Sequence, residues 1–499
     1  MGIKRYVADA DNTITNAYKA NLSTRGVSGN MGQSDILEVF SIYGQASSSA
    51  DGLSSELARI LVQFPVSGAA SGNPAYDRVQ GTIPASGSVS FYLKMYNAAH
   101  SQTTPKDFKL VVSALSRSWR EGLGLDMENY SDIDSSNWIT ASLGPVKWTA
   151  EGGDWYTDAS SSFTASFDTG FENMDLDVTP LVEQWINSAG NTLGSKSNYG
   201  FMVKLSSSLE DAEESYYTKM FFARGSQFTL KRPVLEARWD NSKTDDRGQF
   251  YLSSSLVPAS DNLMKLYLYN VVRGQLTNIP AIGTGSIIVS IYSGSSDNTS
   301  PSGDKLYLPV GGDVAATGDT NITGGYVETG IYSCSFPYAS SSVTTIFDVW
   351  HSGSVEYHTG SGITVKTYDA AGYNFDQKYA SKVTNMRSTY NTAETARFRL
   401  FVRQKNWSPT IYNVASQDIE TSIIDNAYYK VIRVSDSFEV IPFGTGSDNY
   451  TKLSYDRSGS YFDLDMSLFS ADDVYELSFT YKINGTFVDQ PETFRFRVD

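Results

Sequence analysis

Short runs of apolar or alternating residues recur along the whole chain, and clusters of Gly, Ser, Asn and Asp separate them. In Val234–Trp239 the apolar residues alternate with Glu236 and Arg238, which predicts a strand with one buried face and one solvent-exposed face. Ala58–Phe64 and Val89–Met95 are strands by the same criteria. Many short strands with polar turns predict an all-β fold built from sandwiches or jelly rolls.

Helical patterning is scarce, and Thr179–Asn187 is its best example. Thr179 is expected to cap the helix, with Pro180 in the first helical position. The apolar face has helical spacing and comprises Leu181, Val182, Trp185 and Ile186. This pattern predicts one short helix packed on a sheet.

Two polar intervals divide the chain into three predicted domains. Arg238–Gly248 follows a strand and resembles a domain terminus, and Tyr368–Asp376 forms a second such interval. The predicted units are residues 1–240, a jelly-roll sandwich, and residues 241–370 and 371–499, two immunoglobulin-like β-sandwiches. Each length lies within the usual range for a domain.

Composition excludes several classes of protein. The chain has one cysteine, Cys334, which cannot pair within the chain and is expected to be a small buried apolar residue. Three histidines leave few ligands for a zinc enzyme, and a formal charge of −16 disfavours nucleic-acid binding. No apolar segment is long enough to predict membrane insertion, and the first residues do not resemble a signal peptide.

The first half of the chain carries an ordered set of motifs: Ser55–Phe64, Trp119 with Glu121, Trp148 with Gly152–Trp155, Leu176–Thr179 with Trp185, Asn198–Lys204 and Arg232–Arg238. Their order resembles the DNRLRE family over roughly Ile3–Trp239. The resemblance implies a jelly-roll sandwich, a fold that in this family is often attached to cell-surface or carbohydrate-acting proteins and sometimes binds polysaccharide. Fold alone does not transfer function.

The remainder of the chain resembles structural proteins of tailed phages, particularly those of marine cyanobacteria. The segments that carry this resemblance are Glu394–Thr410, Leu453–Asp465 and Glu492–Asp499, together with the opening segment Ala8–Asn21. The resemblance implies a virion component on the tail, neck or capsid exterior. It implies no catalytic residues.

One candidate ligand site can be named from residue types. Glu151 and Asp154 flank the Gly152–Gly153 pair, which is expected to form a turn with positive φ, and Trp148 and Trp155 lie close in sequence. Because sugar rings stack on aromatic faces, Trp148, Glu151, Asp154 and Trp155 form a candidate glycan-binding site. The alternative is that these residues are corners of the sandwich core. The tryptophans of this half are expected to be spread through the domain rather than gathered in one cluster.

Acidic loops and catalytic motifs bear on two further kinds of chemistry, metal binding and catalysis. A structural Ca²⁺ ion could use acidic loops, of which the candidates are Asp126 with Glu128, Asp132 and Asp134, the segment Asp313–Asp319, and Asp463 with Asp465. None has EF-hand spacing, so we assign no metal ligand and expect no other cofactor. No nucleophile elbow or phosphate-binding loop occurs, and we expect no catalytic residues.

The leading hypothesis from the sequence is therefore a non-enzymatic virion protein of a tailed phage, acting in assembly or decoration. Its expected partners are other virion proteins and further copies of the chain in the particle, without nucleic acid or membrane insertion. One alternative is an adhesin that binds host surface polysaccharide and exposes an aromatic strip. The other is a polysaccharide-degrading enzyme, which needs a pair of carboxylates in a cleft.

Overall fold

The computed structural model describes residues 2–48, 52–131, 134–142, 146–187, 196–294, 303–314, 318–367, 376–407, 410–411 and 421–499. Within them the chain folds into mainly antiparallel sheets with a few short helices, which confirms the predicted all-β fold class. None of the helices in these ranges is long and apolar enough to cross a membrane. The apolar cores define an N-terminal, a middle and a C-terminal unit. The exact domain boundaries stay a prediction.

Among its described residues the N-terminal unit contains three short helices, α1 Pro74–Val79, α2 Thr179–Ile186 and α3 Ser207–Glu210. Its strands are β1 Ile3–Val7, β2 Ala10–Thr15, β3 Gly29–Asn30, β4 Ile36–Ser48, β5 Gly52–Gln63, β6 Ser90–Met95, β7 Phe108–Ala114, β8 Asp126–Ser131, β9 Thr140–Ser142, β10 Val146–Lys147, β11 Ser162–Phe167, β12 Met174–Asp177, β13 Phe201–Leu205, β14 Tyr216–Phe222 and β15 Val234–Arg238.

Two sheets of this unit pack face to face. The small sheet has the order β1-β15-β6-β12, and the large sheet has the order β11-β7-β13-β5-β4-β14, with β2 added beside β5. The main core lies between them. In β5, Ile60 and Val62 join this core, whereas Leu61 joins a second core on the outer face of the large sheet. The continuous apolar run of β5 is explained by this burial on both faces.

Helix α2 begins one residue earlier than the sequence pattern suggests. Thr179 is its first residue, and the preceding position, Val178, makes no side-chain cap. The hydroxyl of Thr179 instead accepts a hydrogen bond from the Phe91 amide at 2.8 Å. The prediction that Thr179 caps the helix is therefore wrong, because its hydroxyl forms a hydrogen bond with β6. The apolar face is as predicted, and Trp185 packs edge-to-face on Phe201.

The middle unit consists of β16 Met264–Tyr269, β17 Val271–Val272, β18 Gln275–Leu276, β19 Ile287–Tyr292, β20 Ile322–Glu328, β21 Ile331–Phe336, β22 Thr345–Ser352, β23 Val355–Thr359 and β24 Ile363–Thr364. Its main sheet has the order β16-β21-β20-β19-β22-β23, with β24 beside β22. Arg247 donates to the Tyr267 carbonyl on β16 at 2.6 Å and to Asp348 on β22. Because three strands separate β16 from β22 in the sheet, these contacts show that the sheet curls around its core.

The C-terminal unit is a sandwich of β25 Tyr379–Val383, β26 Thr389–Tyr390, β27 Thr395–Gln404, β28 Ala427–Arg433, β29 Phe438–Ile441, β30 Ser454–Asp456, β31 Gly459–Asp465, β32 Asp473–Ile483, β33 Thr486–Asp489 and β34 Phe494–Val498. One sheet has the order β25-β27-β31-β30 and the other β26-β34-β32-β28-β29, with β33 beside β32. Stacked aromatic rings fill the core, with Phe462 at 4.3 Å from Tyr429 and 5.2 Å from Phe398.

Candidate functional site

The two tryptophans of the candidate glycan site belong to the second core. Trp148 is only 5% exposed, and its indole N–H donates to the Asn137 carbonyl at 2.8 Å. Trp155 is half-buried and packs against the same core, with Trp119 as a further neighbour. Several tryptophans of this half therefore do gather in one cluster, contrary to expectation. A sugar ring has no access to the face of a side chain as buried as Trp148.

The two carboxylates of the candidate site differ in their surroundings. Glu151 is exposed, whereas the Asp154 carboxylate accepts hydrogen bonds from the amide and the hydroxyl of Thr149, at 2.9 and 3.0 Å. Arg117 Nε lies 2.9 Å from Asp154 Oδ2. Asp154 thus closes its own turn and is paired with a cation. Glycan binding by these four residues stays a prediction. Their packing matches the alternative that they are corner residues of the sandwich core.

The turn between these carboxylates fits closely on the second core. Gly152 and Gly153 have φ values of +89° and +109°, as the sequence predicts for this pair. A Cβ on Gly152 would lie 2.8 Å from the Trp138 ring, and a Cβ on Gly153 would lie 2.2 Å from Met202 Cε. Glycine is needed here both for the backbone conformation and for the close approach.

A buried ion cluster lies beneath the turn. The Arg59 guanidinium is 4.9 Å from the Trp138 ring and 5.0 Å from the Trp155 ring, and it donates to the Gly152 carbonyl. Its Nε and Nη2 also donate to the Glu210 carboxylate at 2.9 and 2.8 Å. Lys204 Nζ lies 3.0 Å from the same carboxylate. One carboxylate therefore balances two buried cations that hold the turn in place.

The acidic loops show local hydrogen bonding. Asp126 accepts from the amides of Glu128 and Asn129 at 2.8 and 2.7 Å, and Asp465 accepts from the Ser467 amide at 2.9 Å. Asp463 forms an ion pair with Arg397. Among the described residues no group of three or more His, Cys, Asp or Glu could hold a metal ion. Asp132 and part of the segment Asp313–Asp319 lie outside the described residues, and a structural Ca²⁺ stays untested.

The lone cysteine is an apolar core residue, as predicted. Cys334 lies in β21 and is buried in the core of the middle unit. Burial is the main cause that raises the pKa of its thiol above the ordinary value, with a smaller contribution from the Asp348 carboxylate. The thiol is therefore held in its protonated and less reactive form.

The outer face of the small sheet holds a charged network that the sequence pattern assigned to solvent. Glu236 is 1% exposed, and its carboxylate meets Arg5 at 2.6 Å, Arg238 at 2.7 Å and Lys94 at 3.5 Å. Arg238 also pairs with Asp175 at 2.8 Å. The expectation that this face of β15 is exposed to solvent was wrong, because the C-terminal unit covers it.

Several contacts connect this network to the C-terminal unit. Arg5 donates to the Val440 carbonyl, and the Arg238 guanidinium lies 5.0 Å from the Tyr450 ring. Other residues of the small sheet complete the contact: the hydroxyls of Ser90 and Tyr92 donate to Asp448 at 2.7 and 2.9 Å. Ile3 belongs to the apolar core of the C-terminal unit. We name this contact the first joint.

A second joint connects the middle and C-terminal units through the polar interval after β15. The Asp245 amide donates to the Tyr455 carbonyl at 3.0 Å, and the Tyr455 amide donates to the Lys243 carbonyl at 2.9 Å. The Asp246 carboxylate accepts from the Tyr455 hydroxyl at 2.7 Å and from the Lys265 amide at 2.6 Å. The polar interval Arg238–Gly248 therefore forms hydrogen bonds with both units.

The pH dependence of the second joint can be predicted from Asp246. Burial raises the pKa of its carboxyl to about 6. Because this value exceeds that of the unfolded chain, the stability that protonation of Asp246 contributes is complete below about pH 4 and is lost as the pH rises through about 6. Relative to Asp246→Asn, we expect the wild type to lose roughly 2 kcal/mol of unfolding free energy between pH 4 and 7.

Denaturant unfolding at four pH values between 4 and 7 measures this loss. Asp261→Asn is the matched control, because this carboxylate is exposed and lies outside the joint. The loss between pH 4 and 7 should be about 2 kcal/mol relative to Asp246→Asn, and the control shows whether removal of any carboxylate gives the same result. A constant difference between the wild type and Asp246→Asn would contradict the prediction.

A cleft of about 300 Å³ lies beside the first joint, between the small sheet and the C-terminal unit. From the small sheet and the segment before β15 it is lined by Lys4, Arg5, Val7, Tyr96, Thr229, Leu230, Arg232 and Val234. The C-terminal unit contributes Asp465, Ser467, Leu468, Phe469 and Ser470. Sequence reasoning missed both this cleft and the joints, because no local motif marks them.

Comparisons with known proteins do not identify a family. No family model and no curated protein matches the sequence. Among solved structures, a marsupial T cell receptor is 8% identical, with 50% of this chain and 71% of that chain covered and a TM-score of 0.15. The N-terminal four immunoglobulin domains of Dscam1 isoform 9.44 are 9% identical, with 43% and 52% covered and a TM-score of 0.13. Likenesses of this size carry no argument about function.

Proposed function

We propose that the chain is a non-enzymatic structural component of a tailed-phage virion, which acts as an assembly or decoration protein on the tail, neck or capsid exterior. The observation that carries the proposal is the pair of joints. Hydrogen bonds across the joints hold three β units to one another, including Arg5 with the Val440 carbonyl and the Tyr455 hydroxyl with Asp246. A chain whose units are fixed to one another can hold neighbouring proteins at set positions, and a component of a particle has to do this. The sequence resemblance to virion proteins supports the same function.

Exposed apolar residues on the middle unit support a role in assembly. The hairpin β17–β18 forms a two-stranded sheet of its own, in which Val271 is 55% and Val272 52% exposed, and Leu276 is exposed as well. Apolar surface of this kind, when contiguous, marks sites of protein–protein contact. The hairpin would be covered by a neighbouring virion protein in the particle. The net charge of −16 would keep the free chain soluble until it docks.

Purified particles provide the test of this function. We expect mass spectrometry to recover the chain in a fixed ratio to the major capsid or tail protein. A density map should contain the three units at symmetric positions on the outside of the particle. Recovery of the chain only as a soluble monomer from phage-free cells, with none in purified particles, would refute the proposal.

The hairpin gives a sharper version of the test. Val271→Asp combined with Val272→Asp should lower incorporation into particles at least about tenfold, because two charges would be buried in the contact. Val79→Asp is the matched control, since this residue is also exposed but lies on α1 of the N-terminal unit. Equal incorporation of the two variants, with unchanged thermal unfolding, would exclude the hairpin as the contact.

A further inference from the structure

The cleft beside the first joint is rich in cations, although the chain as a whole has 39 basic and 55 acidic residues. Lys4, Arg5 and Arg232 line it, against the single lining carboxylate of Asp465. That carboxylate already accepts a hydrogen bond from the Ser467 amide. A cation in a concave surface that has no carboxylate partner of its own favours an anionic ligand.

The three cations differ in whether they are already paired. Lys4 Nζ lies 2.8 Å from Asp77, and Arg5 Nε lies 2.6 Å from Glu236. Arg232 donates through Nε to the Ser226 carbonyl at 2.8 Å, and no carboxylate in the described part of the chain forms an ion pair with it. Its two terminal nitrogens thus keep their donors for a ligand. A guanidinium fork of this kind suits the two oxygens of a carboxylate.

The other walls of the cleft suit a sugar ring. Val7 and Leu230 supply apolar surface, and the exposed Ser467 supplies a hydroxyl. The hydroxyls of Thr229 and Ser470 form a hydrogen bond of 3.1 Å that links the two walls, and each keeps further capacity to bond to ring hydroxyls. A volume of about 300 Å³ lies at the lower limit for ligand pockets, so it suits one or two sugar rings better than an extended peptide.

We infer that this cleft binds an acidic sugar, with Arg232 holding its carboxylate. The ligand would contact the N-terminal and the C-terminal units at once, since Thr229 and Ser470 come from different units. Binding would therefore strengthen the first joint. This site is distinct from the four residues predicted around Trp148, and it does not depend on a role in the virion.

Titration calorimetry on the full chain tests the inference with four probes: a glucuronate-containing disaccharide, the neutral disaccharide cellobiose, sodium sulfate and a short peptide that ends in aspartate. We expect the acidic disaccharide to bind at least about tenfold more tightly than each of the others. Tighter or equal binding of cellobiose, sulfate or the peptide would overturn the assignment, since it would show that a neutral sugar, any anion or a peptide carboxylate suffices.

Variants locate the binding in the cleft. Arg232→Gln should weaken the acidic disaccharide at least about tenfold, and Arg232→Lys should give an intermediate loss because it keeps the charge but not the fork. Arg273→Gln is the matched control, because it removes the same charge from an exposed loop of the middle unit. Equal affinities for Arg232→Gln and Arg273→Gln, with both variants folded by circular dichroism, would contradict the inference.

Discussion

Replacing Glu236 by glutamine is expected to lower the free energy of unfolding by about 3–5 kcal/mol. The substitution removes the one negative charge that Arg5, Lys94 and Arg238 share on the buried face of the small sheet. Arg238 would keep its pair with Asp175, but Arg5 and Lys94 would be left in a site with little access to water, where an unpaired charge is costly. Urea unfolding monitored by tryptophan fluorescence measures the loss.

A half-buried carboxylate that is paired with an exposed cation provides the comparison. Glu476→Gln removes a pair with Arg495, whose side chain is largely exposed, so we expect a loss below about 1 kcal/mol. If Glu236→Gln costs no more than this control, the first joint does not contribute to stability as described. Intact stability together with a solvent-accessible Glu236 would also show that the units separate in solution.

Acid should lower the free energy of unfolding of the wild type, because it protonates Glu236. Burial alone raises the pKa of the Glu236 carboxyl, but Lys94, Arg5 and Arg238 together outweigh it and hold the pKa well below its usual range. The stability that Glu236 contributes is therefore present above about pH 4.5 and is lost as the pH falls below it. Glu236→Gln should remove this part of the acid sensitivity.

The second large effect is expected for Glu210→Gln, again with a loss of about 3–5 kcal/mol. The carboxylate balances Arg59 and Lys204 beneath the Gly152–Gly153 turn, and all three side chains are buried. Without it, the Arg59 guanidinium loses the partner that keeps it between two tryptophan rings. Urea unfolding measures the stability, and a shift in tryptophan emission reports the loosened turn.

Glu439→Gln is the control for this experiment. Its carboxylate is exposed and lies 3.4 Å from Lys430, so its removal should change stability by less than about 1 kcal/mol and leave the emission spectrum unchanged. A small effect of Glu210→Gln would mean that water reaches the ion cluster. In that case the Trp155 region would be more open than the packing indicates, and the glycan-site hypothesis would gain support.

The two large predictions concern different aspects of the molecule. Glu236 tests whether the N-terminal and C-terminal units are fixed to each other, on which the proposed role in assembly depends. Glu210 tests the interior of the N-terminal unit, where the predicted glycan residues lie. Neither residue lines the cleft assigned to an acidic sugar. Failure of the Glu236 prediction would count against the role in assembly and against the cleft, because both need the N-terminal and C-terminal units to be fixed to each other. Failure of the Glu210 prediction leaves both proposals standing.

Local structure was largely predictable from local pattern. The strand periodicity located β5, β6 and β15, and the helical spacing located α2, because alternation and helical repeat depend on neighbours a few residues apart. The Gly152–Gly153 turn was predictable because only glycine adopts positive φ there without strain. The cap at Thr179 was not, since its hydroxyl bonds to a residue 88 positions earlier.

The candidate site was predictable only as a set of residues that are close in sequence. Trp148 and Trp155 do lie near the turn, but their burial depends on Trp138, Met202 and Arg59, which come from other parts of the chain. Residue type indicates that a tryptophan can stack on a sugar or fill a core. It does not determine which of the two surroundings the fold provides.

The class of fold, the strands and the side chains that share a face of each strand could be predicted from the sequence, because they follow from short-range periodicity and turn chemistry. What covers each face depends on the tertiary packing. In β15, alternation placed Glu236 and Arg238 opposite the apolar residues, but it could not show that Tyr450 and the C-terminal unit lie over them. The joints and the cleft unite residues more than 200 positions apart. Contacts of that separation depend on how whole sheets pack, and no local pattern encodes them.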